Sequence, residues 1–240
     1  VVSPIYRSDH AEVYHGDALD VLAELSTESV DLVVTDPPYG VEWRSNRRSE
    51  TFDELLNDAP ADRDGIRRVL AECVRLVGQH RHLYVFGPDD VLAGLLVSER
   101  AELVWDKARP GMGDLSAPWG PQHERISFAV SKYRHAGKRD APALPVRMRK
   151  GSVLRFAPPT GRNVRHPSEK PTTLLRELVE SSSRAGEVVL DPFAGVGSTG
   201  VAAVLAGRRT LLVELDDHYA RVAVQRLQDA EQIYRASLKV

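Results

Sequence analysis

The sequence predicts an α/β fold, a sheet assembled from strand–helix units. Three observations carry that expectation. Short apolar runs alternate with segments whose apolar residues recur every three to four positions, no internal repeat or low-complexity tract interrupts them, and a glycine-rich turn stands between a strand and a helix. The chain has 240 residues, enough for a sizeable core, and 42% hydrophobic with 28% charged residues excludes a disordered tail.

A first strand is expected at residues 12–15, ending in Gly16-Asp17, and a helix at 18–25. The run Val30-Asp31-Leu32-Val33-Val34-Thr35 reads as a buried strand that must stop at Asp36-Pro37-Pro38-Tyr39-Gly40, because two prolines in succession cannot continue a ladder. Residues 42–64 are polar and read as a loop. The spacing Ile66, Val69, Leu70, Cys73, Val77 predicts a helix with the lone cysteine on its inner stripe, as core filler rather than a nucleophile. Then follow a strand at 82–86, a helix at 91–98, a strand at 102–105, a glycine-rich loop at 109–114 and a strand at 125–130. Pro171 opens a helix to about Ser183. Val188-Val189-Leu190 is a strand, a helix runs to about Ala206, Thr210-Leu211-Leu212-Val213 is a strand ending in Glu214, and a last helix starts near Asp216.

The net charge of −2 hides an asymmetry. Residues 134–170 hold ten Lys/Arg against two acids, so this strip carries +8 and the rest of the chain −10. The strip contains Pro142, Pro145, Pro158 and Pro159 and little periodicity, which predicts a loop-rich insertion with short strands at best. It reads equally as a solvated surface loop or as an arm that contacts phosphates. A single cysteine closes no intramolecular disulfide and supplies no metal clamp, so no metal is expected and a reducing, cytoplasmic setting is. The start of the sequence has no export pattern and no apolar run approaches about 18 residues, so no membrane association is expected.

Two elements carry chemistry. Gly195, Gly197 and Gly200 fit G-x-G-x-x-G after a strand and before a helix, and Glu214 follows Gly195 by 19 residues, the spacing that sets a carboxylate beside a ribose. This favours a cofactor site over a packing turn, but a dinucleotide and S-adenosylmethionine both present a ribose diol. The second element is Asp36-Pro37-Pro38-Tyr39 at another strand's end. Its rigid turn offers fixed hydrogen-bond acceptors, the Asp36 carboxylate and the Pro37 carbonyl, and a flat aromatic face in Tyr39. An exocyclic amino group of a nucleobase needs both acceptors, since its lone pair is delocalised into the ring.

With both elements present the sequence resembles the S-adenosylmethionine-dependent amino DNA methyltransferases, in the beta group whose Asp-Pro-Pro-Tyr motif precedes the cofactor motif. The resemblance is carried by Gly16-Asp17, Thr35-Asp36-Pro37-Pro38-Tyr39-Gly40, Val104-Trp105-Asp106-Lys107, His166-Pro167-Ser168-Glu169-Lys170-Pro171, Asp191-Pro192-Phe193-Ala194-Gly195 and Glu214, nearly the whole chain. It implies a Rossmann-like, mostly parallel sheet with one antiparallel strand, helices on both faces and the motifs in permuted order.

The same resemblance implies roles. Asp36 and Pro37 hold the target amino group, Pro38 shapes the turn and Tyr39 stacks on the base. Asp191, Pro192, Phe193, Ala194, Gly195 and Gly197 line the methionine part of the cofactor, Lys170 lies near its carboxylate, Glu214 takes the ribose hydroxyls, and Asp17 and Ala18 contact the adenine ring. Asp17 also reads as a helix cap, and Lys170 as part of the basic strip. The expected reaction is an in-line displacement at the sulfonium methyl, without metal or covalent enzyme intermediate, on a nucleotide turned out of its duplex.

Residues 1–133 then form the catalytic part, 134–165 a target-recognition insertion, and 166–240 the cofactor part of one domain. DNA contacts fall to Arg44, Arg47 and Arg48 of the polar loop and to Arg134, Lys138, Arg139, Arg147, Arg149, Lys150, Arg162 and Arg165 of the insertion. An insertion this short predicts a short recognition site or a second subunit, as in a homodimer. Adenine N6 is the expected target, since the resembling family more often pairs Asp in this turn with adenine and Ser with cytosine, and cytosine N4 is the alternative. An NAD-dependent oxidoreductase would explain the glycines and Glu214 but leave Asp36 to Tyr39 idle. A DNA-binding module without catalysis is the third reading.

Overall fold

The computed structural model describes residues 2–38, 63–88, 90–111, 116, 118–132, 150–160 and 169–238. Among them nine strands and five helices follow in the order β1 (Tyr6–Arg7), β2 (Ala11–His15), α1 (Ala18–Ala23), β3 (Leu32–Thr35), α2 (Arg63–Val77), β4 (His82–Phe86), β5 (Val97–Asp106), β6 (His123–Ser131), β7 (Val153–Arg155), α3 (Thr172–Ser182), β8 (Val188–Asp191), α4 (Ser198–Leu205), β9 (Arg209–Glu214) and α5 (Asp217–Ser237). The strands form one sheet in the spatial order β1-β2-β9-β8-β3-β4-β6-β5-β7. The carboxyl-terminal strands β8 and β9 thus sit between β2 and β3, so both halves of the chain build one sheet.

Seven strands run parallel, and β6 runs against its neighbours β4 and β5. The two-residue edge strand β1 is also antiparallel, a second exception that the sequence did not announce. Side-chain alternation along each central strand divides the core. Val33, Leu83, Leu190 and Val213 face α1 and α2, packing with Val21, Leu22, Val69 and Leu76. Leu32, Val34, Tyr84 and Val189 face the other way, against Leu174 and Leu178 of α3 and Ala202 of α4. Leu212 packs with Leu227 of α5. Helices therefore cover both faces, and the central strands read as continuous apolar runs for that reason. Cys73 is fully buried on the inner stripe of α2, where burial pushes its thiol above the ordinary range.

The predicted helix at 91–98 is not there. Residues 90–94 form turns closed by i to i−3 bonds, Val91 N–H to the Pro88 carbonyl and Ala93 N–H to the Asp90 carbonyl, and Gly94 at φ +79° ends them. Val97 and Ser98 already pair with Ser131 and Val130 of β6. The ladder with β6 outcompetes the weak helical pattern. Pro171 is the residue capping α3 rather than its first turn. No described helix is long and apolar enough to cross a membrane.

Candidate active site at the carboxyl edge

Parallel strands bring their carboxyl ends to one edge, where open α/β sheets present ligand sites. In spatial order this edge carries Asp17 after β2, Glu214 ending β9, Asp191 ending β8, Asp36 after β3 and Phe86 ending β4. Because β6 is antiparallel, its amino-terminal end falls on the same edge and adds His123 and Glu124.

Asp36 is half-buried, followed by buried Pro37 and half-buried Pro38. Its carboxylate Oδ2 accepts from the Lys170 ammonium. Lys170 is 8% exposed, lies 3.3 Å from Glu124 Oε2, and sits 5.2 Å above the Phe86 ring. Glu124 in turn is 2.8 Å from Lys107 Nζ. Two carboxylates and two ammoniums thus alternate across β3, β6, the end of β5 and the segment before α3. Burial lifts the Asp36 carboxyl above its usual range, with Lys170 opposing. Burial alone would push Lys170 down, but Asp36 and Glu124 together outweigh it and hold the ammonium above the usual lysine range. Burial likewise works against charge on Glu124, and Lys170 and Lys107 outweigh it and keep that carboxyl low.

The neighbouring strand tip supplies the other half. Thr35 Oγ1 donates to Asp191 Oδ1 at 2.8 Å, bridging β3 and β8. Burial pushes the Asp191 carboxyl up to about 6, against hydrogen bonds from the Thr199 and Thr35 hydroxyls and the Phe193 N–H, with the Asp36 charge adding to the rise. Beyond Asp191 the glycines separate by duty. A Cβ on Gly195 (φ +50°) would meet nothing within 4 Å, whereas on Gly197 (φ +76°) it would lie 2.8 Å from Ala223 Cβ, and on Gly200 2.7 Å from Leu212 Cδ1. Gly195 faces open space, and the other two admit α5 and β9. Glu214 Oε2 accepts from Gly195 N–H at 2.6 Å and Oε1 from Asp216 N–H at 2.9 Å, so the acid braces the turn it faces. Burial raises its carboxyl. Arg226 of α5 closes the turn from behind, donating to the Val196 carbonyl at 2.7 Å and pairing with Glu169 at 2.8 Å.

The family model described as DNA methylase, of the N6/N4 type, matches residues 30–225, from the strand before Asp36 into the last helix. The chain belongs to the N6/N4 DNA methylase family. DNA adenine methyltransferase YhdJ of Escherichia coli K12 is 28% identical to it over 94% of this chain and 85% of the relative. The E. coli K12 protein YubD is 35% identical over 88% of each chain. The crystal structure of TTHA0409 from Thermus thermophilus, complexed with S-adenosyl-L-methionine, superposes with a TM-score of 0.67 at 26% identity, covering 92% of this chain and 96% of the other.

In this methylase the edge brings together Asp17, Ala18, Asp36, Pro37, Pro38, Lys170, Asp191, Pro192, Phe193, Ala194, Gly195, Gly197 and Glu214. Asp17 caps α1, accepting from Leu19 N–H at 2.7 Å, and stands next to the Glu214 strand tip through the Gly16 N–H bond to the Glu214 carbonyl. Lys170 is engaged with Asp36 and Glu124. Lys150 pairs with Glu177 of α3. Tyr39, Arg44, Arg47, Arg48, Arg134, Lys138, Arg139, Arg147, Arg149, Arg162 and Arg165 lie outside the described residues. Sequence reasoning missed Glu124, Thr35 and Arg226 as parts of the methylase site. Glu124 gave no signal, because an acid opening a strand is unremarkable until the strand order places it beside Lys170.

Proposed function

We propose that this methylase moves the methyl group of S-adenosylmethionine to the N6 amino group of adenine in DNA. The carrying observation is the Thr35–Asp191 hydrogen bond, which ties the strand tip bearing Asp36 to the strand tip bearing the glycine turn, so the base-holding and cofactor-holding elements adjoin. An NAD-dependent oxidoreductase would have no use for that junction.

The residues fit an adenosyl cofactor. Gly195 leaves backbone open to a ligand, and the Glu214 carboxylate, which accepts from the Gly195 and Asp216 N–H groups, has a further lone pair for a hydroxyl. Glu214 would take the ribose, the backbone of residues 191–197 with Phe193 the methionine part, and Asp17 with Ala18 the adenine. When bound, S-adenosylmethionine supplies an electrophilic sulfonium methyl whose carbon–sulfur bond breaks as the amino nitrogen bonds to carbon. Asp36 presents the acceptors. Lys170 occupies Oδ2, leaving Oδ1 for one amino N–H, and the locked Pro37 carbonyl takes the second. Burial has made the Asp36 carboxylate a better proton acceptor than an exposed aspartate. We assign Lys170 to Asp36, its partner in the structure, rather than to the cofactor carboxylate.

The target base is turned out of a duplex to reach this edge and stacks on Tyr39. Residues 1–133, 134–165 and 166–240 divide the work as catalytic part, recognition insertion and cofactor part, with the basic insertion and Arg44, Arg47 and Arg48 on the DNA and a second copy completing recognition. The buried thiol and the DNA substrate suit the cytoplasm. Adenine is favoured by the Asp in the turn and by the adenine-methylating relative. Nucleoside analysis of DNA incubated with the enzyme and S-adenosylmethionine is expected to show N6-methyladenine. N4-methylcytosine alone would replace the target base, and binding of NAD without S-adenosylmethionine would end the transferase reading.

A further inference from the structure

The end of the β5–β6 hairpin carries an aromatic that the transfer chemistry leaves unused. Beyond the last ladder pair, Asp106 opposite His123, the two chains stay joined. Lys107 N–H donates to the Gln122 carbonyl at 2.9 Å and Gly111 N–H to the Pro121 carbonyl at 2.7 Å. Asp106 Oδ1 accepts from Ala108 N–H and from the Gln122 amide. A Cβ on Gly120 would fall 2.7 Å from the Gly111 carbonyl oxygen, and one on Gly111 would fall 3.0 Å from the Pro121 carbonyl oxygen. Pro110, Pro118 and Pro121 fix further backbone angles. The described residues of this tip thus continue the hairpin as a prong. On it Trp119 is 86% exposed, more than any other large apolar side chain among the described residues.

A single exposed apolar side chain is ordinary. This one is distinguished by its mounting, its place and its company. The prong grows from the edge that carries Asp36, and it is tied to that residue through Lys107, Glu124 and Lys170. Among its described residues the tip exposes one fixed charge, the Arg109 cation, with the polar ring of His123 near its base. The described acids at its base already have cations, Asp106 with Arg155 at 3.2 Å and Glu124 with both lysines. An exposed indole near an arginine, on a hairpin that grows from the edge where a base must be received, suits a polyanion that offers flat apolar faces.

We propose that the Trp119 prong is a DNA-contacting element of this methylase, with the indole stacking on bases next to the target nucleotide. The proposal rests on the reading of the chain as an enzyme acting on a base turned out of duplex DNA. Turning a base out removes stacking from its neighbours, and an aromatic side chain with only two rotatable bonds restores it at small entropic cost.

Trp119→Phe and Trp119→Ala in the full chain test it. The chain has three tryptophans, so the fluorescence lost in Trp119→Phe isolates this indole. Titration with linear duplex DNA is expected to quench that component and shield it from acrylamide. Trp119→Ala is expected to slow methyl incorporation into native plasmid DNA by about tenfold, with Trp119→Phe within about threefold of wild type. Binding of S-adenosylmethionine, read by calorimetry, should be unchanged in both. A Trp119 component that stays acrylamide-accessible on DNA, or Trp119→Ala methylating plasmid at the wild-type rate, overturns the proposal. If Trp119→Ala fails to fold, the fluorescence of wild type against Trp119→Phe decides. Wild-type enzyme that binds S-adenosylmethionine and methylates no DNA would instead refute the functional reading, and the fluorescence would still report whether the prong meets DNA.

Discussion

Lys170 and Asp36, 134 residues apart in the chain, form an ion pair, the lysine buried and the aspartate half-buried, at the point where the sheet's two functional strand tips adjoin. The pair is not isolated, since Glu124 shares the ammonium from the antiparallel strand. A buried charge pair of this kind contributes little net stability, because desolvation offsets the attraction. Its consequence is orientation: one carboxylate oxygen is fixed, and the other has a defined direction.

Replacing Asp36 should therefore separate chemistry from folding. Asp36→Asn keeps the shape but exchanges an anionic acceptor for a neutral amide. Methyl transfer is expected to fall by about a hundredfold or more, with an unchanged circular dichroism spectrum and S-adenosylmethionine affinity within about threefold. Radiolabel transfer and calorimetry on one preparation measure both. Full activity in Asp36→Asn would remove the carboxylate from the mechanism.

Losing Lys170 should act through Asp36. Burial already lifts the Asp36 carboxyl, and without the opposing ammonium it rises further, so the acceptor is protonated over a wider acid range. Lys170→Met is expected to move the acid limb of the rate profile to higher pH, with activity returning as pH rises. Glu124→Gln has the reverse tendency, because Lys170 then serves Asp36 alone and its acid limb moves to lower pH. Rate against pH in wild type and both variants shows the signs. A parallel drop at every pH would mean that the lysine serves structure only.

How much of this was legible in the sequence follows from how local each signal is. Asp36-Pro37-Pro38 announces itself because proline forbids alternatives, and Gly195 with Glu214 because strand, turn, helix and acid all lie within one short segment. Thr35 and Glu124 could not be read, since their partners Asp191 and Lys170 come from distant segments joined only by strand order. The missing helix at 91–98 has the same origin. Its apolar spacing was real, but β6 offered Val97 and Ser98 a ladder that no local pattern reveals. The glycine motif was legible as a unit and misleading in detail, because spacing alone cannot say which glycine faces a ligand and which faces Ala223.

That division predicts different losses for two alanines. Gly195→Ala adds a methyl to open space at φ +50°, a modest strain, and should leave melting within a few degrees while weakening S-adenosylmethionine binding by about tenfold or more. Gly197→Ala drives a Cβ to 2.8 Å from Ala223 Cβ and 3.1 Å from its Cα, where backbone must yield. Its expected cost is about 1–3 kcal/mol of stability, seen as a lower melting temperature. Calorimetric titration and thermal denaturation of both variants test the assignment, which fails if the two behave alike.

Two buried groups should give the fold opposing responses to acid. His82 accepts or donates at 2.7 Å to Ser182 and stacks edge-on against Phe128, and burial, with Arg81 adding to it, lowers its pKa from 6.5 to about 4. The unfolded chain binds that proton first, so His82 favours the fold above pH 6.5 and this contribution is lost as pH falls towards 4. Asp191 is the reverse. Its folded pKa of about 6 exceeds the unfolded 3.8, so the folded state binds the proton first, and the contribution is full below 3.8 and lost as pH rises through 6. Each spans roughly 3 kcal/mol, and between about pH 4 and 6 they oppose each other. Urea unfolding of His82→Gln across this window should therefore show stability rising on acidification relative to wild type. Asp191→Asn should show it falling. Slopes of the same sign in the two variants would mean that other groups govern the acid response, while opposite slopes tie it to one histidine at the amino end of β4 and one carboxyl at the sheet's active edge.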